Sequence, residues 1–367
     1  MPSSPDNHHT MFSKPFHAVL CLAAILALSC EKENYLTATS STAAGQRKTT
    51  DDLVTGPPTI TSWFRGPDLP ASTTGIMGRS DCYGFAIGGK GYMGGGILLD
   101  AGHNEVPATD FWSWDTAAHT WSQQASFPGT AKADAATFVA AGKGYVCTGN
   151  NWLGEATRSS KENWQFDPVT NTWTRKKNFP GAARISAVGA SVNDKGYVGT
   201  GQSAPGDLPG FNDWFQYDPS TDTWTKKANL PAQYRWSAVA FASSDKIYVG
   251  TGTNYDHGVF GDNWAYDPAT DTWKSRAACP GGPRAYATGL SLPKEGVMLA
   301  GGEGLFTGIE CWRYNFSNNT WTQGLNVPGS RLQAGGFSIG GTVFIFGGDG
   351  SNGNYDKKND FWSLRLE

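Results

Sequence analysis

The sequence is poor in cysteine and in charge, and both shortages limit what the chain can be. Charged residues make up 17% of the 367 residues and leave a formal net charge of −3, whereas nucleic-acid-binding surfaces are strongly basic. We therefore expect no nucleic-acid partner. Cys21 and Cys30 lie in the first thirty residues, and no CxxC motif is present. We expect the remaining cysteines to be buried thiols that pack as small apolar residues: Cys82, Cys147, Cys279 and Cys311.

A long hydrophobic run is also missing. The apolar stretch from Phe16 to Leu28 is shorter than the roughly 20 residues that a membrane-spanning helix needs. It follows Lys14 and ends in Ala27-Leu28-Ser29-Cys30, which resembles a lipobox. The pattern predicts a signal peptide over residues 1–30, with Met11 as an alternative start, and lipidation of Cys30. We expect export and a lipid anchor in a bacterial cell envelope, in the outer membrane, with simple secretion as the alternative.

Residues 31–58 are rich in Ser, Thr and Ala and contain little apolar surface. Such a segment cannot bury a core, so we expect a flexible tether. The folded domain then covers residues 59–367.

Glycine and tryptophan are abundant, and they recur with a period of roughly 50 residues. The motif Asp-Pro-x-Thr-Asp/Asn-Thr-Trp ends at Trp173, Trp224 and Trp273, and weaker copies end at Trp121 and Trp321. Each unit has a small-residue strand opened by a basic residue, a second strand that ends in Gly-Gly or Thr-Gly, a variable loop, an aromatic third strand and a fourth strand with Thr-Trp. This pattern predicts an all-β fold of four-stranded units that stack around an axis.

These motifs resemble the kelch family over nearly the whole stretch from Ile60 to Glu367. The resemblance implies a β-propeller of four-stranded antiparallel blades. Phe361–Leu366 is a third strand with no fourth strand after it, so we predict that an N-terminal strand around Trp63 completes the last blade and leaves no open sheet edge. First strands open at six basic residues, which predicts six blades: Arg79, Lys132, Arg184, Arg235, Arg284 and Arg331.

Residues that recur in every blade are expected to be scaffold, and residues that depart from the repeat are better candidates for a site. The recurring tryptophans are therefore expected to pack between blades. An acidic residue also recurs near the start of every third strand, where we expect a structural hydrogen bond to a loop or a cation: Asp110, Glu162, Asp213, Asp262, Glu310 and Asp360.

Two interpretations of the basic series stay open. The arginines could pair with the acidic series, or they could converge at one channel mouth as a ring that binds a carboxylate or another anion. In animal kelch adaptors, arginines at this position in several blades bind acidic peptides. That resemblance covers Arg184, Arg235 and Arg284, and the ring interpretation adds Arg79 and Arg331.

Blade four departs most from the repeat. Its first strand contains Tyr234 and Trp236 on either side of Arg235, and Trp236 is either core filling or a platform for a sugar ring. The variable loops after the second strands open at the same mouth. They add candidate binding residues in blades four and five: Asn254, Tyr255, His257 and Glu303.

We therefore expect an envelope-tethered module that binds a small glycan or an acidic peptide and needs no cofactor or metal. The alternative is a sugar mutarotase resembling the bacterial N-acetylneuraminate epimerases, in which Arg235 or Arg284 would act with Glu303. A copper oxidase resembling galactose oxidase is disfavoured, because His103, His119 and His257 fall in separate parts of the predicted ring. A scaffold role in an outer-membrane complex stays open.

Overall fold

The computed structural model describes residues 62–71, 78–100, 102, 104–151, 158–204, 209–303, 306–350 and 357–366, without the side chains of residues 303, 306 and 307. The described residues form β-strands and turns. Among them, the structure contains no helix that is long and apolar enough to cross a membrane. The predicted signal peptide, with Cys30, and the predicted tether lie outside the described residues.

The strands form six antiparallel four-stranded sheets, as the repeat predicts. A short strand, β1 (Phe64–Arg65), precedes the first complete sheet. From the inner to the outer strand, blade one contains β2 (Tyr83–Ile87), β3 (Lys90–Gly94), β6 (Phe111–Asp115) and β7 (Thr120–Gln123), and blade two contains β8 (Ala136–Ala140), β9 (Lys143–Cys147), β10 (Asn163–Asp167) and β11 (Thr172–Lys176). Blade three contains β12 (Val188–Val192), β13 (Lys195–Gly199), β14 (Trp214–Asp218) and β15 (Thr223–Lys227), and blade four contains β16 (Val239–Ala242), β17 (Ile247–Gly250), β20 (Asn263–Asp267) and β21 (Thr272–Arg276). Blade five contains β22 (Thr288–Ser291), β23 (Glu295–Leu299), β26 (Cys311–Asn315) and β27 (Thr320–Gln323).

Blade six draws on both ends of the described chain. It contains β28 (Gly335–Ile339), β29 (Thr342–Phe346) and β30 (Phe361–Arg365), and its outer strand is β1. The predicted ring closure is thus confirmed: Phe64 pairs with Ser363, and Arg65 pairs with Trp362. Three two-stranded ribbons extend the variable loops of blades one, four and five: β4 (Ile97–Leu99) with β5 (Glu105–Pro107), β18 (Thr253–Asn254) with β19 (Gly258–Val259), and β24 (Gly302–Glu303) with β25 (Phe306–Thr307).

The outer-strand tryptophans join neighbouring blades, as expected of scaffold residues. The indole N–H of Trp173 donates to the carbonyl oxygen of Ala125, which follows the outer strand of the preceding blade, at 2.9 Å. In return, the backbone N–H of Ala125 donates to Asn171 at 3.0 Å. The same indole bond recurs at Trp224, Trp273 and Trp321.

Trp63 occupies the same place in blade six, since its indole donates to the carbonyl oxygen of Leu325 at 3.2 Å. The junction between blades six and one lacks these bonds. Pro67, four residues after Trp63, has no N–H to donate, and the buried indole N–H of Trp121 has no partner. This junction therefore relies on ring packing, which includes Trp121 against Phe361 at a centroid distance of 5.0 Å.

Backbone hydrogen bonds close the ring on the inside. Two residues after each basic residue stands a residue with a left-handed backbone, with φ from 50° to 60°. Each of these residues donates its N–H to the carbonyl oxygen of its counterpart in the preceding blade at 2.9–3.1 Å. The six residues form one closed circle at the start of the inner strands: Asp81, Asp134, Ser186, Ser237, Tyr286 and Gln333.

We predict that Trp63→Ala lowers the free energy of unfolding by about 2–3 kcal/mol, because it removes a half-buried aromatic ring and an inter-blade hydrogen bond. Phe64→Ala is the matched control in the same strand. Phe64 is 64% exposed, so its loss should change stability by less than about 0.5 kcal/mol. Urea unfolding of both variants gives the comparison, and equal losses would contradict the assignment of Trp63 as the closing residue.

Candidate functional site

Each basic residue of the repeat is paired with the acidic residue of its own blade. Arg79 donates two parallel hydrogen bonds to Asp110, at 2.9 and 2.7 Å, and Arg331 binds Asp360 in the same way. Arg184 and Arg235 do so with their own aspartates. The pairs in blades two and five are Lys132 with Glu162 and Arg284 with Glu310.

These pairs also fasten the loops of the blade. The Arg184 guanidinium donates to the carbonyl oxygen of Thr200 at 2.8 Å, at the end of the second strand. In blade one, the carboxylate of the pair also accepts a bond: the indole of Trp112, two residues along the third strand, donates to Asp110 at 2.8 Å. The acidic series is thus structural, as expected from its repetition.

This geometry is a correction to the interpretation of the arginines as a free cationic ring. The five arginine residues are buried, with at most 4% of each residue exposed: Arg79, Arg184, Arg235, Arg284 and Arg331. Burial alone would raise the pKa of Asp110, but the hydrogen bond and the charge of Arg79 outweigh it and lower that pKa. Because the folded pKa is lowered, the stabilisation by this pair is complete above the ordinary carboxyl value of 3.8 and is lost as the pH falls below it.

Blade four brings its candidate residues together at the rim. Trp236 is buried, with 3% exposure, and Tyr255 lies over it at a centroid distance of 4.6 Å. Trp236 is therefore core filling, and the ring that faces solvent is Tyr255, which is 67% exposed. The Tyr234 hydroxyl donates to Asp256, and the Asn254 amide donates to the carbonyl oxygen of Tyr234 at 2.9 Å.

The remaining predicted residues are scattered. His257 is exposed in the tight turn of the β18–β19 ribbon, where its backbone N–H donates to the side-chain oxygen Oδ1 of Asn254 at 2.7 Å. Glu303 lies in β24, and its side chain is not described; His103 lies outside the described residues. His119 lies in the turn after β6, at the opposite end of the blade from the variable loops. Across the described residues, no three His, Cys, Asp or Glu side chains group as metal ligands.

The four cysteines of the domain are buried free thiols, as expected. Burial raises the pKa of Cys82 and of Cys311 to about 12. Burial raises the pKa of Cys147 and of Cys279 as well.

A cavity of about 170 Å³ lies where the six inner strands begin, and we call this place the channel mouth. One residue of the hydrogen-bonded circle and the small residue after it line the cavity from every blade. The small residues are alanines in blades two to six and Cys82 in blade one, whereas the circle residues differ: two aspartates, two serines, a tyrosine and a glutamine.

The acidic side of the cavity is formed by blades one and two, which contribute Asp81 and Asp134. Burial and the charge of Asp134 raise the pKa of Asp81 well above its ordinary value. Burial also raises the pKa of Asp134. The Ser80 hydroxyl donates to Oδ2 of Asp81 at 2.7 Å, and Oδ1 of Asp81 is buried without a hydrogen-bond partner.

Neither the variable loops nor the basic strand openers line this cavity, so they do not reveal it in the sequence. The residue two positions after each basic residue is the one that lines the cavity. That position varies among the blades: it holds Asp, Asp, Ser, Ser, Tyr and Gln in blades one to six. In a repeat protein, such variation at an equivalent inward-facing position indicates selection by something other than the fold.

We predict that Arg79→Ala lowers the free energy of unfolding by about 3–5 kcal/mol, because Asp110 is left as a buried charge without a partner. The exposed pair of Arg65 and Asp68 supplies the control: their side chains are 52% and 40% exposed, so Arg65→Ala should cost less than about 1 kcal/mol. The double variant Arg79→Met/Asp110→Leu should recover part of the loss. Denaturant unfolding measures all three, and a small loss in Arg79→Ala would show that this arginine does not hold the blade.

Comparison of the whole fold finds a propeller of the same size. The solved structure of YjhT matches with a TM-score of 0.65 and 16% sequence identity, over 80% of this chain and 95% of that chain. No protein-family model matches the sequence.

Several curated proteins are similar in sequence, and each match covers less than half of the relative. Kelch-like protein 25 of Xenopus tropicalis is 25% identical over 309 residues, which are 81% of this chain and 41% of that protein. An N-acetylneuraminate epimerase of Shigella sonnei is 34% identical over 84 residues, 22% of this chain and 23% of the epimerase. An F-box/kelch-repeat protein of Arabidopsis thaliana is 32% identical over 125 residues, 34% of this chain and 32% of that protein. With six four-stranded blades and this repeat, the chain is a kelch-repeat β-propeller.

Proposed function

We propose that the chain is a binding module whose ligand is a neutral carbohydrate, held at the channel mouth. The observation that carries the proposal is the circle of six residues around the cavity. Its side chains offer carboxyl, hydroxyl, phenol and amide groups from six directions. Such a set of convergent donors and acceptors suits a ligand with hydroxyl groups on every side.

The charge of the cavity favours a neutral ligand over an acidic one. The described residues that line it include two aspartates and no Lys, Arg or His. The nearby arginines are engaged with their own acidic partners. An anionic ligand would therefore meet carboxylate where it needs a cation.

The loop of blade four supplies an exposed aromatic ring at the same end of the blade as the cavity. Trp236, which precedes the cavity residue Ser237, supports the exposed ring of Tyr255. A sugar has polar edges and apolar ring faces, and these suit a hydrogen-bonding cavity and an aromatic ring respectively.

We predict that full-length protein binds neutral monosaccharides, and that Gln333→Ala and Tyr255→Ala each weaken binding roughly tenfold, which corresponds to about 1.4 kcal/mol. Saturation-transfer NMR and calorimetry with D-glucose, D-galactose, N-acetyl-D-glucosamine and N-acetylneuraminate measure it. Val169→Ala is the control, since Val169 is 87% exposed and lies in the turn after β10, at the other end of the blade.

Binding of N-acetylneuraminate alone would overturn the choice of a neutral ligand. Failure of every sugar in the panel to bind, or binding that survives both site variants, would overturn the channel mouth as a carbohydrate site.

A second candidate is a mutarotase related in activity to the N-acetylneuraminate epimerases. Matches to proteins of that name at 33–34% identity over 84 residues support it. The two carboxyl groups that line the mouth, Asp81 and Asp134, also support it, because the opening of a sugar ring needs an acid and a base. The arginines first considered for the substrate carboxylate are held by Asp262 and Glu310 in this geometry, so the acid–base pair is the stronger part of this candidate.

We also propose that the domain is tethered to the bacterial envelope through a lipid on Cys30. The support comes from the sequence alone: Lys14, the apolar run and the small residues before Cys30.

We predict that Cys30→Ser abolishes the incorporation of radiolabelled palmitate and moves the protein from the membrane fraction to the soluble fraction of a Gram-negative host. Cys21→Ser, within the same leader, is the control and should change neither result. Unchanged labelling of Cys30→Ser would exclude lipidation at this site.

A further inference from the structure

We propose that a groove between blades four and five binds an oxyanion attached to an aromatic ring. The groove lies at the end of the blades opposite the channel mouth, so this inference does not rest on the proposed carbohydrate site. It adds a second site, in which Arg276 and Lys294 bind the anion and Phe316 contacts the ring.

The groove has a volume of about 460 Å³ and is open to solvent. Blade four lines it with the turn before β17, with Tyr248 and with Arg276 at the end of β21. Blade five lines it with the turns before β23 and after β26. The charged residues of the lining are three cations and one carboxylate, which leaves an excess of positive charge: Lys246, Arg276, Lys294 and Asp245.

The carboxylates around the groove are engaged by other cations. They form three salt bridges: Asp245 and Asp267 with Lys246, and Glu295 with Arg313. Arg276 and Lys294 take part in none of these bridges. The Nε atom of Arg276 is also buried without a hydrogen-bond partner in the described part of the chain. These two cations are therefore the ones that the protein leaves for an anion.

Blade five departs from the repeat at this groove. In the first four blades, the aspartate that ends the third strand binds the lysine at the start of the second strand: Asp115 with Lys90, Asp167 with Lys143, Asp218 with Lys195 and Asp267 with Lys246. In blade five the third strand ends in Asn315. The proline that follows the aspartate in blades two to four is replaced by Phe316. Blade five thus presents an uncharged amide and an aromatic ring where other blades present a carboxylate and a proline.

A second carboxylate is missing at the same junction. Arg276 ends the outer strand of blade four, and the backbone N–H of the next residue donates to the Asn319 side chain of blade five at 2.9 Å. At the two preceding junctions the acceptor is an aspartate, on which the charge of the equivalent lysine acts: Asp222 with Lys176 and Asp271 with Lys227. The amide of Asn319 cannot balance a charge, so the charge of Arg276 is left for a ligand.

Phe316 and Tyr248 give the groove an aromatic wall. Their rings stack at a centroid distance of 4.8 Å, with an angle of 19° between the ring planes. The backbone N–H of Phe316 donates to the carbonyl oxygen of Lys294 at 3.2 Å, which holds the ring beside the cation. Because the cations suit an oxyanion and the wall suits a ring, the groove favours a ligand that joins the two.

The test measures the binding of phenyl phosphate and benzoate to the full-length protein by calorimetry. Inorganic phosphate and benzyl alcohol are the reference ligands, since the first lacks the ring and the second lacks the charge. We expect at least one aromatic anion to bind more tightly than both reference ligands, and its binding to weaken as the salt concentration rises. Arg276→Gln and Lys294→Gln should each weaken it about tenfold, because each removes a charged partner of the anion.

Asn319→Asp tests the missing carboxylate directly, since it restores the residue found at the two preceding junctions. The new carboxylate can accept from the Ala277 backbone N–H and from the Tyr314 hydroxyl, as Asn319 does, so the fold is kept. We expect this variant to lose binding as Arg276→Gln does, and to unfold at the same urea concentration as the unchanged protein.

Lys274→Gln is the matched control. It removes a cation from the same strand, two residues before Arg276, and Lys274 is exposed and outside the groove lining. Gln333→Ala, at the channel mouth, is the second control. Both variants should bind the aromatic anion as the unchanged protein does.

Each other outcome overturns a stated part of the inference. An equal loss in Lys274→Gln would assign the binding to general surface charge and overturn the site. Benzyl alcohol that binds as tightly as the anions would overturn the role of the cations, and inorganic phosphate that does so would overturn the role of the ring. Binding that survives both Arg276→Gln and Asn319→Asp, or no binding of either aromatic anion, overturns the groove as the site and leaves the carbohydrate proposal untouched.

Discussion

The structure depends on six ion pairs, one in each blade, whose cations are buried. Each pair joins a cation before the inner strand to a carboxylate before the third strand, and in the five arginine blades the guanidinium also binds the carbonyl that follows the second strand. The orientation of the segment that leads into the inner strand follows from this contact. Two residues later that segment turns through a left-handed residue and joins the backbone circle. The circle, the cavity inside it and the placement of the rim loops therefore all depend on the pairs.

The same dependence explains why the cations are poor ligands and good scaffold. A guanidinium that donates two bonds to a carboxylate and one to a carbonyl has few N–H groups left for a ligand. Its exposure of 0–4% also keeps a ligand away from it. The side chains that differ chemically among the blades are those of the circle residues, two positions after each cation. There the circle fixes the backbone and the side chain lines the channel mouth. Scaffold and candidate site are thus adjacent in sequence and separate in role.

Repetition made most of the fold predictable. Six basic strand openers, six acidic residues and five Thr-Trp copies set the number of blades, and the missing fourth strand after Leu366 led to Trp63. The repeat could not show whether the arginines are paired or free. Each acidic partner lies 26 to 31 residues away in sequence, and only the pairing of strands brings the two side chains within 3 Å. Trp236 was ambiguous for a related reason: its cover, Tyr255, belongs to a loop whose conformation the repeat does not encode. Asp81 and Asp134 are conspicuous only once one knows that their position faces the channel.

The junction between blades six and one differs from the other five, and this difference affects how the domain responds to a pulling force. If the domain hangs from a lipid at its N-terminus, any drag on the domain is transmitted through the chain that enters at Trp63. That chain is held by a strand of two paired residues, one indole bond and two backbone bonds, from Gly66 to Phe361 and from Leu69 to Asn359. It lies next to the interface at which the indole of Trp121 and Pro67 make no inter-blade bond. A pull of this kind would act first on the closing strand and would open the propeller along a defined line, leaving the other five blade interfaces intact.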